Sequence, residues 1–333
     1  MSKKNNKFQK RLEAMTDDKG IVQHSDLHVP NPKYDYSIDD QARALIIKTR
    51  TDPSNKILNL YLDYLIDAKR NDGWFNNYKT EHGKWEARNG KQEDSGDLQD
   101  CYGRTIWALA ELLGKDCLGS SKQKKVRTLF FDSLEMTENL QFPMSKALAS
   151  IGLSKYLAKS KNDSVKSANL QLVCQLQADY HKHSDKDWKG FSTEYTYCGP
   201  RLAQAMILAG QSLTRPDLTE IGKQSLHFLI KHTIPNKFFR AIGNKGWFQK
   251  GSVPSLLHEQ SIEAGVMAEA CVDAGLDKQA QIAFSWFHGN NSINHDMRSQ
   301  HNSIYDAITE TGVNKNQGAE SIISYLMACS KMQ

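Results

Sequence analysis

The sequence predicts an all-α protein, a single-domain (α/α)6 toroid in which six helical hairpins close into a ring. Two observations lead there. Apolar residues recur at helical spacing almost throughout the 333 residues, while strand-like alternation is nearly absent. Six times, too, a polar stretch rich in carboxylate, amide and aromatic groups runs straight into an apolar helix. The six starts are IDDQARALI from Ile38, QDCYGRTIWALA from Gln99, FPMSKALASIGL from Phe142, YCGPRLAQAMILA from Tyr197, EQSIEAGVMAEA from Glu259 and NQGAESIISYLMA from Asn316. They lie roughly 45 to 60 residues apart, the length of two helices and their loops.

Taken in order, Ala42, Leu45, Ile46 and Thr49 mark one face of a helix from Asp39 to Arg50. Asp52-Pro53-Ser54 breaks it, with Pro setting φ for a turn into the next helix, Lys56 to Lys69. The alternation continues over 98–113 and 122–138, 145–160 and 164–182, 201–213 and 217–233, 260–274 and 278–287, and ends with 318–330. That makes eleven helices. Asn5 to Met15 is the candidate twelfth, placed to pack beside the final helix and close the ring. Residues 1–35 therefore read as an N-terminal helix and lead-in, and 36–333 as the toroid.

Turns within a hairpin are short, as at 51–55 and 214–216. Connections between hairpins are mostly long: 70–97, 184–197, 234–258 and 288–315. Loops beyond about 12–15 residues in a compact domain are usually functional. All four precede the first helix of a hairpin, so they belong at one end of the ring. The first helices hold more small and apolar residues, such as Ala203, Ala205, Ala209 and Gly210, and the second helices more charge. First helices should form the inner ring and second helices the sheath.

Composition narrows the function. The chain is 39% hydrophobic and 24% charged with a net charge of +5, enough apolar content for a core and little basic excess. Lys3-Lys4 and the run 122–127 lack the interleaved aromatics of a nucleic-acid reader. No secretory leader and no membrane-length apolar run is visible. The six cysteines form no CxxC pair and several fall on apolar helical faces, which reads as reduced thiols in a cytoplasmic protein. GxGxxG and GxxxxGK[ST] are absent, and no cofactor is expected. His288, His295, His301, Asp296 and Asp306 match no standard metal spacing, so no metal is expected either. Cys198 near Glu194 reads as a buried thiol before a nucleophile.

Inner-helix N-termini carry partial positive charge and free N–H donors into the mouth of such a ring. Asp39, Asp40, Asp100, Glu194, Glu259, Glu263 and Glu320 all fall near a start. N-capping explains any one of them. It does not explain six polar starts together with Arg43, Arg104 and Arg201, each a few residues into its helix and placed to pair with a carboxylate. Trp74, Trp85, Trp188 and Trp247 lie in the long loops, in the related contexts DGWFNNY, KGFSTEY and KGWFQKG. Aromatic faces beside carboxylates and amides suit sugar rings, so Trp74, Trp188 and Trp247 are candidate stacking platforms. His258 and Gln260, at the fifth start, join the candidate binding residues. Glycoside cleavage needs two carboxylates, one donating a proton to the leaving oxygen and one activating water or attacking the sugar.

At these starts the chain resembles a family of bacterial all-α domains with a six-hairpin, glycosidase-like toroid, often encoded with or fused behind family-4-type glycosyltransferases in carbohydrate loci. GIVQH from Gly20, YSIDDQARALI from Tyr36, QDCYGRTIWALA, TYCGPRLAQAMILAG, EQSIEAGVMAEA, FSWFHGNN from Phe284 and GVNKNQGAESIISYLMA from Gly312 carry the resemblance. It implies that Asp39, Asp40 and Arg43 match an acidic pair and Arg at the first inner helix. Asp100 and Arg104 match the second start, with QEDSG from Gln92 a rival alignment. Arg201 matches an Arg that the family places after Tyr-Asp-Asn, where this chain reads Tyr197-Cys198-Gly199 and lacks the acid. Glu263 stands where an acid is usual, and Asn314, Asn316, Gln317 and Glu320 match the last start. The expectation is a carbohydrate-active protein, foremost a glycoside hydrolase acting on an oligosaccharide or glycoside. Asp39 or Asp40 would work with Asp100 or Glu320, with a glycosyltransferase as partner. The alternatives are a non-catalytic sugar-binding or scaffold protein, and a sugar epimerase, lyase or phosphorylase on the same ring.

Overall fold

The computed structural model of the chain describes residues 3–86, 96–115 and 117–332, and twelve α-helices account for most of them. In chain order they are α1 (Lys3–Ala14), α2 (Ile38–Thr51), α3 (Ile57–Asp67), α4 (Gly96–Leu113), α5 (Ser120–Asp132) and α6 (Pro143–Leu157). There follow α7 (Asp163–His183), α8 (Pro200–Ser212), α9 (Pro216–Thr233), α10 (Ser261–Asp273), α11 (Asp277–Ser285) and α12 (Ala319–Lys331). Each even-numbered helix touches the next, and α12 touches α2, so the six form a closed inner ring. Outside it, α3, α5, α7, α9 and α11 each pack on the even helix before them, and α1 packs on α12. The architecture is the expected (α/α)6 toroid, with the N-terminal helix filling the twelfth place.

Burial separates the layers as the residue types require. On α2 every residue from Ile38 to Thr49 is buried, and on α10 every residue from Ser261 to Cys271. An outer helix such as α9 buries one stripe, Leu218, Ile221, Leu226 and Leu229 among it. Two glycines set the spacing of the inner ring. A Cβ on Gly152 would sit 2.4 Å from the Trp107 Cα, and one on Gly265 would sit 2.7 Å from the Ser324 carbonyl oxygen. Their hydrogens let α6 lie on α4 and α10 on α12. Local signals then start the helices: Ser37 accepts the Asp39 N–H at α2, Asn162 the Val165 N–H at α7, and Pro opens α6, α8 and α9. No disulfide links the six cysteines. Among the described residues no helix is long and apolar enough to cross a membrane.

Two features depart from the expected pattern. The helix expected over 122–138 stops at Asp132 and resumes as a 3-10 turn, Glu135–Asn139. Tyr102 donates its hydroxyl to the Ser133 carbonyl at 2.5 Å and Lys69 reaches the Ser133 hydroxyl at 3.2 Å, diverting the backbone there. Among the described residues the loops also contain ten strands of two or three residues, too short to show an alternation. They pair antiparallel. β1 (Ser25–Asp26) joins β2 (Val29–Pro30), and β3 (Tyr36–Ser37), β4 (Tyr78–Lys79) and β5 (Trp85–Glu86) form one small sheet. β6 (Glu194–Tyr195) joins β7 (Phe248–Gln249), and β8 (Glu259–Gln260) joins β9 (Ala307–Thr309), itself paired to β10 (Gly312–Asn314). β6–β7 and β8–β9 sew successive inter-hairpin loops together, which places those loops at the end of the ring where the inner helices begin.

Candidate functional site

Where the inner helices start, a cavity of about 430 Å³ opens. Asp39, Asp40 and Arg43 of α2, Asp100 and Arg104 of α4, and Glu320 of α12 form its charged wall. Tyr197 and Gln260 add to it from just before α8 and α10, and Asn77 and Tyr78 from the first long loop. Gln23 and His24 of the lead-in cover one side. The lead-in is held there by Gln41, whose side-chain amide exchanges two 2.9 Å hydrogen bonds with the Ile21 backbone, and by the Gln23 carbonyl, which accepts the Ala319 N–H of α12 at 3.0 Å.

The charged groups form one connected cluster. Asp39 is clamped on both oxygens, by Arg43 at 2.6 Å and by Arg104 at 2.6 Å. Asp40 takes the same Arg43 nitrogen at 2.9 Å. Glu320 lies 3.4 Å from that nitrogen and accepts the Tyr197 hydroxyl at 2.8 Å. Asp100 accepts the Ser145 hydroxyl at 2.5 Å. With two guanidiniums among three carboxylates, burial still dominates Asp40. It pushes the acid up, Arg43 offsets part of the effect, Asp39 and Glu320 add to it, and the group comes to about 7. The Arg43 and Arg104 guanidiniums lose solvation but gain more from the acids beside them, Asp39 above all, and both are held above their usual range. Both arginines therefore stay charged and fix the positions of the acids around them.

Just below the cavity the fourth start is repaired from another helix. Cys198 adopts φ +58° and its N–H donates to Glu263 of α10 at 2.8 Å, so an acid from the fifth hairpin serves the place where Cys198 and Gly199 supply none. Burial pushes Glu263 up to about 8, the Cys198 N–H opposes that rise, and Glu320 adds to it. Burial likewise raises the Cys198 thiol well above its usual range, which leaves it an unreactive core group. Arg201 points its charge below the mouth, to Glu269 at 2.6 Å, with its guanidinium 4.8 Å from the centre of the Trp107 ring.

The structure therefore gathers Asp39, Asp40, Arg43, Asp100, Arg104, Tyr197, Gln260 and Glu320, and sets Glu263 and Arg201 beneath them. Other expected site residues lie elsewhere. Trp188 is only 2% exposed, packed against Tyr195, Phe228 and Phe248 with its indole N–H on the Ser192 carbonyl, and has no free face for a sugar. Trp74 packs edge-on to Tyr102, and Trp247 is partly buried against the core. Neither lines the cavity. Glu194 is tied to Gln249 across the β6–β7 pair, and the His258 carbonyl accepts the Asn244 N–H in its own loop. Asn314, Asn316 and Gln317 shape the loop into α12: Asn314 accepts the Asn316 N–H, Asn316 donates to Asp306, and Gln317 accepts the Ser299 hydroxyl. Of the histidine and aspartate group considered for a metal, His301 stacks on His28, Asp296 pairs with Arg298, and Asp306 caps α12 through the Gly318 N–H. Among the described residues no group of three or more His, Cys, Asp or Glu is arranged to hold a metal. Residues 92–95 of the rival alignment lie outside the described residues. Asn77 and Tyr78 are not among the residues expected at the site, although they end the DGWFNNY motif; the GIVQH motif, which ends in Gln23-His24, is the available signal for that side of the wall.

No protein-family model and no curated protein matches the chain. Solved structures do match. A sugar epimerase from a ruminal bacterium shares the fold with a TM-score of 0.73 over 99% of this chain and 97% of its own, at 10% identity. The cellobiose 2-epimerase of Spirochaeta thermophila aligns over 98% and 96% with a TM-score of 0.65 and 12% identity. An α-1,6-mannanase of Salegentibacter, in complex with α-1,6-mannotriose, aligns over 99% and 98% with a TM-score of 0.63 and 10% identity. That mannanase is described as an inactive variant with two consecutive aspartates changed to asparagine. At such identities the likeness establishes the fold.

Proposed function

We propose that this protein is a carbohydrate-active enzyme that performs acid/base chemistry on a small saccharide in the mouth cavity, with glycoside hydrolysis as the reaction. The observation that carries this reading is the divided state of two neighbouring acids. Asp39 has both oxygens held by arginines, whereas Asp40, one residue on, comes to about 7 and keeps a proton to donate near neutrality. Asp40 donates to the leaving oxygen. Asp100, entering from α4 and braced by Ser145, activates water or attacks the sugar. Glu320, with Tyr197 and Arg43, holds sugar hydroxyls. A volume of about 430 Å³ suits a small saccharide or a chain end. The mannanase described as inactive with two consecutive aspartates changed to asparagine supports placing the acid in the consecutive pair Asp39-Asp40.

Epimerisation is the second reading, supported by His24 on the cavity wall and by the two epimerases of similar fold. One experiment separates the two. The protein is incubated in D2O with a panel of α- and β-linked disaccharides and followed by proton NMR. Hydrolysis releases new reducing ends without deuterium at C2; epimerisation by proton abstraction labels C2 and leaves the linkage intact. Saccharide binding with neither change, and no difference in the Asp40→Asn variant, would overturn both and leave a binding protein. The glycosyltransferase partner implied by the resemblance fits an enzyme that edits a saccharide as it is built, and co-purification with that transferase tests it.

A further inference from the structure

Charge is spread unevenly along the chain. Residues 221–258 hold six lysines and arginines and no aspartate or glutamate, while the rest of the chain is close to neutral. The later part of that stretch is the loop between α9 and α10, at the mouth end of the ring. Backbone hydrogen bonds tie its neck: the Gly243 N–H to the Ser255 carbonyl at 2.8 Å, the Ser255 N–H to the Trp247 carbonyl at 2.8 Å and the Lys245 N–H to the Leu257 carbonyl at 3.3 Å. Its tip is apolar and uncovered. Val253 is 80% exposed, Leu256 52% and Leu257 43%, so a tied frame holds three large aliphatic side chains out into water.

Lys245 and Lys250 stand on the same frame, and Lys231 and Lys237 are exposed on the chain leading to it. Acids from neighbouring loops meet two of these cations: Glu310 lies 3.6 Å from Lys245 and Asp185 2.7 Å from Lys250. Both pairs are at the surface, where an ion pair is worth little and a phosphate group can take the place of the carboxylate. Aliphatic side chains among lysines suit an anionic lipid surface, the apolar groups entering the acyl boundary and the cations meeting headgroup phosphates. Other occupants fit less well. A nucleic acid needs aromatic faces to stack on, but Phe239 and Phe248 of this stretch are each only 2% exposed. A stable protein complex buries roughly 800 Å² on each partner, more than one narrow loop tip offers.

We propose that the 243–257 loop docks the protein on a bilayer containing anionic phospholipid, with Val253, Leu256 and Leu257 inserted and Lys245 and Lys250 on the headgroups. Docking there turns the mouth end of the ring towards the membrane. The surface does not depend on which reaction the mouth performs. The test is sedimentation of the full chain with vesicles of phosphatidylcholine, alone or mixed roughly two to one with phosphatidylglycerol. Binding to the mixed vesicles is expected, about tenfold or more tighter than to phosphatidylcholine alone and weakened by added salt. Val253→Asp combined with Leu256→Ser should lower the vesicle partition by more than about tenfold and leave Tm within about 2 °C, because both positions face water. Lys245→Ala and Lys250→Ala should each lower it about three- to fivefold. No binding to either vesicle, equal binding to both, or binding that survives the tip substitutions overturns the proposal. So does self-association in solution that Val253→Asp abolishes while vesicle binding is absent, since the tip is then a contact between copies of the chain.

Discussion

The two ends of the inner ring carry similar residues in opposite electrostatic states. At the mouth, burial wins: Asp40 and Glu263 are pushed up to about 7 and about 8. At the base, where the inner helices end, burial pushes Glu111 up, but Arg50 at 2.6 Å and Lys155 at 3.4 Å outweigh it and hold the acid well below its usual range. Glu269 and Asp273 are depressed in the same way, burial being outweighed by Arg201 and Arg50 for the first and by Lys331 and Lys155 for the second. Helix ends explain part of the contrast, because C-termini favour cations and Arg50 and Lys331 sit in last turns. The count of partners explains more. Each base acid has two cations beside it, while at the mouth Asp40 and Glu320 have only the Arg43 nitrogen that they share with Asp39. The base is charge matched and holds the ring together; the mouth is left with an acid that keeps its proton.

Substitutions at the two ends should therefore fail in different ways. Glu269→Ala leaves two buried arginines short of a partner and should cost about 3–5 kcal/mol in urea unfolding. Asp40→Asn keeps the shape of the protonated acid, so its stability should equal or exceed that of the unaltered protein. Its turnover of whichever saccharide is accepted should fall about 100- to 10 000-fold. A loss of stability in Asp40→Asn as large as that in Glu269→Ala would erase the distinction.

The pH dependence sharpens the same contrast. Asp40 and Glu263 hold protons in the folded state that the unfolded chain releases, so stability should fall as pH rises from about 4 towards 8. The slope is up to ~1.4 kcal/mol per pH unit for each group. The depressed base acids act oppositely: their contribution is present above about pH 4 to 5 and is lost on acidification. Urea unfolding from about pH 3 to 8 should give a maximum near pH 4 to 5, and Asp40→Asn should flatten the limb above it. The smallest effect belongs to Tyr197→Phe, which removes the 2.8 Å hydrogen bond to Glu320. Losing a bond worth roughly 1.5 kcal/mol should lower kcat/KM about tenfold and Tm by only about 2 °C.

Helix boundaries were legible to within a few residues because burial all round an inner helix and along one stripe of an outer helix leave different residue patterns. The break at Ser133 was not, since its cause is a hydrogen bond from Tyr102, thirty-one residues away. Asp39, Asp40, Arg43, Asp100, Arg104 and Glu320 were legible because helix geometry alone carries them to the mouth, whereas Arg201 and Glu263 turn below it and Glu194 pairs within its loop. Loop residues were harder. Trp188 reads as a rim residue by its place in a polar loop, yet Phe228 of α9 and Phe248 of β7 close over it. Gln23 and His24 reach the cavity only because Gln41 pins the lead-in across the mouth. The role of Glu263 at the fourth start depends on a contact between hairpins 65 residues apart.

The placement of α1 has a consequence for how the ring is made. The other outer helices pack on the inner helix just before them, whereas α1 packs on α12 at the far end of the chain. A growing polypeptide can build its hairpins in succession, but the last wall needs one helix made before the first hairpin and another made after the fifth. Until α12 emerges, the nascent protein is an open arc whose raw edges are the apolar flanks of α2 and α10, both waiting for the same missing helix. Closing a loop of some 300 residues is slow to reward its entropic cost, so this seam is where assembly finishes and where interrupted synthesis exposes sticky surface.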